Sequence, residues 1–463
     1  MIFKDMIEQA ARNLPVSAMF RSLLEHCLSA KDFDDLFEQY RQRQYTRFLL
    51  FSTLVALAVW VVCKVRPSTN AAIDAIGKTL NVTRTSIYNK LNGIETQVSA
   101  AIVALSATRL AHIIDEMGPL PPSLLQDYEV RIIDGSCIAA TQHRLKFLRE
   151  ISSGPLPGKA LVTFDPQRSL ATCMIPCEDG HAQERSLFKP LLDKIKKGTL
   201  TIADRNFCTR GFLQGIQDRK AAFIIREHAS LPWIPLTDLL PVNGEQTLQE
   251  QTIRLHYSLG EDAGEEFSIR RIVVHLDKPT RDGDMSIAIL TNVPQEHADA
   301  QTIANAYRER WTIEKHFGLI ERALASEIPS IGLPKAALFI LAIALMVGNL
   351  IAVIMAALQH AHPNVNIEQS VSPVKIAEEV QSTYGGMIKF TGDMAWECFS
   401  DISTGAIVLW LLRCAKNVEL VCFRKTGRGP KKPRPKRSLY QGNQTHVSTY
   451  QLLQMSAQAS MAP

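Results

Sequence analysis

The nine cysteines of this 463-residue chain include no Cys-x-x-Cys pair. Cys173 and Cys177 stand four apart, but no second Cys/His pair follows at zinc-finger spacing, so the common structural zinc folds are excluded. Scattered thiols read as buried and reduced, which fits a reducing, cytoplasmic setting. The opening stretch, MIFKDMIEQAARN, lacks the early apolar core of a secretory signal. Excess charge of one sign is also small: 51 Lys and Arg against 46 Asp and Glu leave a formal net charge of +5, so the chain as a whole is no polycation. The basic excess gathers instead between Arg424 and Arg437, where eight Lys and Arg occur without an acid. Such a run is a solvated arm, either one that meets nucleic acid or one that only solubilises.

The chain is long enough for two to four domains, and 46% hydrophobic residues can bury a core. Two apolar runs are weighed against a membrane. Phe48 to Cys63 falls short of the roughly 20 residues a span needs. Ala336 to Leu358 is long enough and uncharged, so it is either a span or a buried core helix. Its Asn349, its Gly348 and its many alanines favour the core helix, and no membrane is expected.

Residues 1–118 read as helical. Phe33, Leu36 and Phe37, spaced i, i+3 and i+4, predict one packed face. Residues 72–91 fit a helix-turn-helix, with a turn at Asn81-Val82-Thr83; a plain helical hairpin fits equally. Val82, Ile87 and Leu91 would be its buried set. Arg84, Tyr88 and Lys90 would face outward with Thr85, Ser86 and Asn89, a mix suited to phosphates and base edges. Met117-Gly118-Pro119-Leu120-Pro121-Pro122 reads as a linker and domain boundary.

From residue 128 the period changes to strands. Tyr128–Ile133, Ala160–Asp165 and Ser169–Ile175 are strands, Ala182–Lys196 a helix, Leu200–Asp204 a strand, Arg210–Asp218 a helix and Ala221–Arg226 a strand. Residues 228–292 are strand-like, at 251–258, 266–276 and 285–290. Later helices are expected at 371–380 and 405–412, and residues 438–463 read as disordered. The segments are therefore 1–118, 126–227, 228–292, 293–360, 361–423 and 424–463.

Three carboxylates stand out. Arg131-Ile132-Ile133-Asp134-Gly135-Ser136 is a strand ending in Asp134. Thr201-Ile202-Ala203-Asp204-Arg205-Asn206-Phe207 is another, ending in Asp204. Tyr307 to Arg322 reads as one helix, with Tyr307, Arg310 and Glu314 at i, i+3 and i+7 along one side. An apolar stripe of Ile313, Phe317, Ile320 and Leu324 runs beside them. Two strand-borne aspartates and a helix-borne glutamate resemble the DDE triad of bacterial insertion-sequence transposases. Tyr307, Arg310 and Glu314 resemble the Tyr-x-x-Arg-x-x-x-Glu signature of the IS-four group, over roughly residues 126–360. The group's Lys seven residues after the Glu is replaced here by Glu321, and Lys315 or Arg322 would take over its phosphate contact.

The resemblance implies an α/β fold: a ribonuclease-H-like mixed five-stranded sheet with flanking helices, interrupted by a β-rich insertion, after an all-helical N-terminal DNA-binding region. It implies two Mg²⁺ per active site, with Mn²⁺ as substitute. Such pairs lie about 4 Å apart, activating an oxygen nucleophile and stabilising the leaving oxygen. Asp134 would bridge them, Asp204 would hold one and Glu314 the other. The partners implied are double-stranded DNA, as terminal inverted repeats and target, and a second copy of the chain in the synaptic complex. The compartment is that of a bacterial, nucleoid-associated cytoplasmic enzyme. Tyr307 and Arg310 would hold the DNA end near the cut. Arg205, Asn206, Trp311, Lys315 and Arg322 are further DNA contacts, and Trp233 either stacks on a base or packs. No catalytic role falls to His143, His181 or His316; the last is expected on the helix surface.

Overall fold

The computed structural model describes residues 2–44, 46, 48–76, 82–138, 157–255, 267–280, 283–328, 331–427 and 448–459. Seven helices come first: α1 (Ile2–Asn13), α2 (Pro15–Cys27), α3 (Ala30–Tyr40), α4 (Phe51–Val62), α5 (Thr69–Ile76), α6 (Arg84–Gly93) and α7 (Thr96–Met117). Helix α3 starts at a capping box, Ser29 with Asp32, that satisfies two of the free N–H groups of its first turn. Its Phe33, Leu36 and Phe37 are buried as their spacing predicts, and Phe37 stacks on Phe51 of α4 at 4.8 Å.

The strands are β1 (Glu129–Ile138), β2 (Gly158–Asp165), β3 (Leu170–Cys177), β4 (Thr199–Ala203) and β5 (Ala222–Arg226). Helix α8 (Phe188–Leu192) precedes β4 and α9 (Arg210–Asp218) follows it. The helix read at Ala182–Lys196 is shorter than expected. A 3-10 turn at Glu184–Leu187 leads into α8, because Pro190 has no N–H to give and fits only a first helical turn.

The region after β5 holds β6 (Ile234–Pro235), β7 (Leu240–Val242), β8 (Glu245–Leu255), β9 (Phe267–His275) and β10 (Ser286–Thr291). These strands do not form a separate sheet. Strand β10 pairs with β5, Leu290 against Ile225, so one ten-stranded mixed sheet runs β3-β2-β1-β4-β5-β10-β9-β8-β6, with β7 also on β8. The five-stranded sheet expected from the sequence is its first half.

After β10, the helices among the described residues are α10 (Ala300–Arg308), α11 (Trp311–Ala323), α12 (Pro334–Ala361), α13 (Ile367–Ser370), α14 (Pro373–Thr391), α15 (Thr404–Lys416) and α16 (Thr449–Ala459). Adjacent residues of β1 serve opposite faces: Ile132 packs with Ile303 and Ala304 of α10, Ile133 with Phe188, Phe207 and Phe212. Helix α12 is apolar all round because it is buried all round, against α2, α4, α7, α14 and α15 and the β2–β3 edge. By length and composition α7 and α12 could each cross a membrane, but 89% of the apolar window of α12 is buried in this fold. Its buried Asn349 accepts from Ala171 N at 2.8 Å and donates to Ala171 O at 2.9 Å, capping the free edge of β3. The core of the N-terminal helices thus runs on through α12 to β2 and β3, past the linker at Met117–Pro122.

Part of the stretch read as disordered is helical. Ser448 and Gln451 form a reciprocal cap for α16, Gln451 N to Ser448 Oγ at 3.2 Å and Ser448 N to Gln451 Oε1 at 3.3 Å. The remaining residues of that stretch, 438–447 and 460–463, and the basic residues from Arg428 to Arg437 lie outside the described residues, as do Gly77–Asn81 of the suspected helix-turn-helix and His143.

Candidate active site

Strands β1 and β4 are parallel neighbours, with Ile132 level with Ile202. Asp134 and Asp204 each follow two residues later: Asp204 just past the carboxyl end of β4, and Asp134 where β1 has passed its last pair with β4, although β1 does not end there as the sequence suggested but runs on to Ile138 against β2. Asp134 Oδ1 accepts from Gly135 N at 2.9 Å. Asp204 Oδ1 accepts from Asn206 N at 2.9 Å, which caps the short turn Arg205–Phe207.

The third carboxylate arrives on α11. The stretch from Tyr307 is not one helix: α10 ends at Arg308, and Glu309 and Arg310 make a tight turn with Arg310 N bonded three residues back, to Tyr307 O. The turn drops the Arg310 side chain into the site. Its Nη2 donates to Glu314 Oε1 at 2.9 Å, and its Nη1 lies 3.6 Å from Asp134 Oδ2. The fork thus ties the glutamate to the first aspartate. Burial works against the Arg310 charge, but Tyr307, Asp134 and Glu314 outweigh it and raise its pKa.

The electrostatics bring in the second aspartate. Burial pushes the Asp134 carboxyl up to about 6, opposed by Arg310 and the Gly135 N–H, with Asp204 and Glu314 adding to the rise. Asp134 therefore feels both Asp204, 70 residues further along the chain, and Glu314, another 110 on. Among the described residues no three His, Cys, Asp or Glu groups stand in a ready-made metal-binding arrangement. The donor set nevertheless fits a hard cation: carboxylates from three elements, one of them kept from ionising freely, with positive charge already drawn between two of them.

Around this centre the other expected residues fall unevenly. Tyr307 is buried, which raises its phenol pKa, while Arg310 and Arg226 oppose that rise. Trp311 is 58% exposed, with the Arg310 guanidinium 5.0 Å from its ring. Asn206 is exposed beside Arg205. Lys315 pairs with Glu368 at 3.7 Å, and Arg322 folds back onto Gly318 O at 2.8 Å. Glu321 is exposed. His316 is not on the surface: it packs against Phe164 and fills the space that Gly348 leaves on α12. Burial pushes its pKa down to about 4. Trp233 packs, its Nε1–H donating to Glu227 Oε1 at 2.6 Å beneath the Arg271 guanidinium.

On α6, Ile87 and Leu91 are buried, while Arg84, Thr85, Ser86 and Asn89 are exposed. Arg84 pairs with Asp74, and Tyr88 donates to Asn70 Oδ1 at 3.1 Å. Lys90 does not face outward. Its ammonium donates to Leu49 O and lies 5.0 Å from the Phe37 ring, because its long stem reaches back over the α3–α4 contact.

Two residues at the site escaped the sequence reading. Arg226 ends β5 beside Asp204, since Ala203 is level with Ile225, and its Nη2 donates to Asp284 Oδ2 at 2.5 Å. A charged residue closing each of two neighbouring apolar strands was the available signal. Glu184 lies against Gly135, in the space of the missing Cβ.

Residues 125–348 match the family model described as "Transposase DDE domain", and Asp134, Asp204 and Glu314 all fall within that stretch. The match supports a DDE transposase. No curated protein matches the chain. Among solved structures, the chain is similar to one described as "Cryo-EM structure of piggyBac transposase synaptic complex with hairpin DNA (SNHP)", with a TM-score of 0.37 and 11% identity, covering 83% of this chain and 82% of that one.

Proposed function

We propose that the chain is a cut-and-paste DNA transposase of the bacterial IS-four type, with a ribonuclease-H-like catalytic core. One observation carries the reading: Arg310 joins Glu314 to Asp134 while Asp204 ends the adjacent parallel strand. The strand order β3-β2-β1-β4-β5, with helices on either side of β4, supports the ribonuclease-H-like core. Strands β6 to β10 stand where that group carries its β-rich insertion.

Asp134, Asp204 and Glu314 would hold two Mg²⁺, or Mn²⁺ in their place. When bound, such ions lower the pKa of a water or a DNA 3′-hydroxyl and stabilise the leaving oxygen. The protein's own groups supply position and charge. Arg310 presents a rigid fork that matches phosphate as well as carboxylate, and Tyr307 adds a phenolic donor beside it. Arg205, Asn206, Trp311 and Arg226 extend this surface around the strand ends, with Lys315 and Arg322 further along α11. Arg84, Tyr88 and the exposed face of α6 contact DNA away from the cut, and the basic stretch after Arg424 adds sequence-independent affinity.

The substrates are the terminal inverted repeats of the element and a target duplex. Two ends are held by a homodimer, in the cytoplasm of a bacterial cell and without a membrane. The burial of α12 supports that last point.

A strand-transfer assay separates this reading from a nuclease of the same architecture. A labelled terminal-repeat duplex with a recessed 3′-hydroxyl is incubated with protein, Mg²⁺ and a supercoiled plasmid. Covalent joining of label to plasmid is expected. Nicking without joining would leave a nuclease.

A further inference from the structure

Helix α7 and the sheet do not close on each other along their whole length. A cleft of about 460 Å³ lies between them, on the face of the sheet that carries Ile133 rather than Asp134. That volume is within the range of small-ligand sites. The sequence of α7 shapes one wall. Ala104, Ala107, Thr108 and Ala111, at i, i+3, i+4 and i+7, set only short side chains on this side, while Ile102, Leu110 and Ile113 join the core around α12. Leu191 and Ile195 line the cleft from α8 and the turn after it.

The sheet supplies a polar floor. Thr201 of β4 lines the cleft and is wholly buried, and its Oγ1 has no hydrogen-bond partner among the described residues. A buried hydroxyl left unpaired is costly, and a ligand that bonds to it recovers the cost. The charge around the cleft is one-sided once the ion pairs are removed. Its three acids are all held by arginines: Asp165 by Arg131 at 3.2 Å and Arg168 at 3.0 Å, Asp115 by Arg168 at 2.7 Å, and Glu129 by Arg131. Lys194 and Lys196 also line the cleft, and their exposed ammonium groups make no hydrogen bond or ion pair with a described residue. Burial raises the thiol of Cys173 on the cleft wall and Lys194 opposes that rise, so the Lys194 charge reaches inside.

We propose that this cleft is a binding site for a nucleoside monophosphate. The phosphate meets Lys194 and Lys196, the flat ring lies against the alanine wall and Ile195, and a polar group on its edge bonds to the Thr201 hydroxyl. The site does not depend on the DDE reading of Asp134, Asp204 and Glu314. Ile133 lines the cleft and Asp134 follows it on the opposite face, so the nucleotide would lie one sheet thickness behind the candidate active site.

Equilibrium dialysis of the full chain against AMP, GMP, CMP and UMP, without divalent metal, tests it, with melting temperatures measured alongside. The proteins are wild type, the double variant Lys194→Gln/Lys196→Gln, Thr201→Val and Ala111→Phe. At least one nucleotide should bind wild type saturably, and equimolar inorganic phosphate should not displace it. The double variant should bind about tenfold more weakly, the scale of losing one charge-assisted hydrogen bond. Thr201→Val keeps the shape and should weaken binding about fivefold, the scale of one neutral hydrogen bond, with no fall in melting temperature. Ala111→Phe fills the cleft and should abolish binding. Should it fail to fold, Ala104→Phe, at an exposed position of the same wall, decides in its place. No binding of any of the four to wild type, displacement by equimolar phosphate, or unchanged affinity in any folded variant overturns the proposal.

Discussion

Arg310 Nη2 donates to Glu314 Oε1 at 2.9 Å, one helical turn apart, from a guanidinium that is almost wholly buried. A surface pair at this spacing contributes a few tenths of a kcal/mol. Here the same fork also faces Asp134 at 3.6 Å, so it neutralises two carboxylates that would otherwise repel. Substitution by Lys keeps the charge and loses the planar fork. Arg310→Lys should lower single-turnover cleavage on the order of a hundredfold, the scale of losing one preorganised donor. Near wild-type cleavage in that variant would reduce Arg310 to a structural ion pair.

Asp134 predicts how metal binding depends on pH. Its carboxyl is raised from 3.8 to about 6, so the ionised form is disfavoured in the folded, metal-free protein. The stability this group lends is fully present below 3.8 and is lost as pH rises to about 6. A bound cation needs the ionised form and reverses the penalty. The gain in melting temperature from saturating Mn²⁺ should grow as pH rises through about 6, and Asp134→Asn should flatten that dependence. An equal gain at pH 5 and pH 7.5 would count against the assignment.

His316 acts in the opposite sense. Its pKa is lowered from 6.5 to about 4 by burial against Phe164 and α12. The folded state binds the proton less readily than the unfolded one, so stability is lost as pH falls from 6.5 toward about 4. Urea midpoints across this window should fall less steeply in His316→Leu than in wild type. Parallel slopes would contradict it.

Asn349 gives a stability prediction free of the site. Its amide satisfies both backbone groups of Ala171 on the free edge of β3. Asn349→Leu leaves them buried and unpaired, at a cost of about 1–3 kcal/mol. Urea denaturation measures it; an unchanged midpoint would mean that another group reaches Ala171.

The parts of this architecture set by local pattern were legible in the sequence. Asp134 and Asp204 stand out because each ends a short apolar β-branched run, and α12 because nothing charged interrupts it. The break at Glu309–Arg310 was not legible: no Pro or Gly marks it, and helical spacing continues through it. Glu184 and Arg226 depend on strand register and on the gap at Gly135, which only the assembled sheet defines. His316 sits beside the apolar stripe of α11 and is buried because Gly348 on a different helix makes room. The union of β10 with β5 is equally non-local. The Ser448–Gln451 cap, by contrast, was present in the sequence as Ser-x-x-Gln and went unread.

The proposed function requires that Asp134, Asp204 and Glu314 form one metal-dependent DNA-cutting centre. The most direct measurement maps new 3′ ends on DNA from both flanks of the coding region, with Mg²⁺ or Mn²⁺, using wild type, Asp134→Asn, Asp204→Asn and Glu314→Gln. Metal-dependent cuts at matching inverted repeats are expected in wild type, and none in any of the three variants. Cuts that persist in the variants would contradict it.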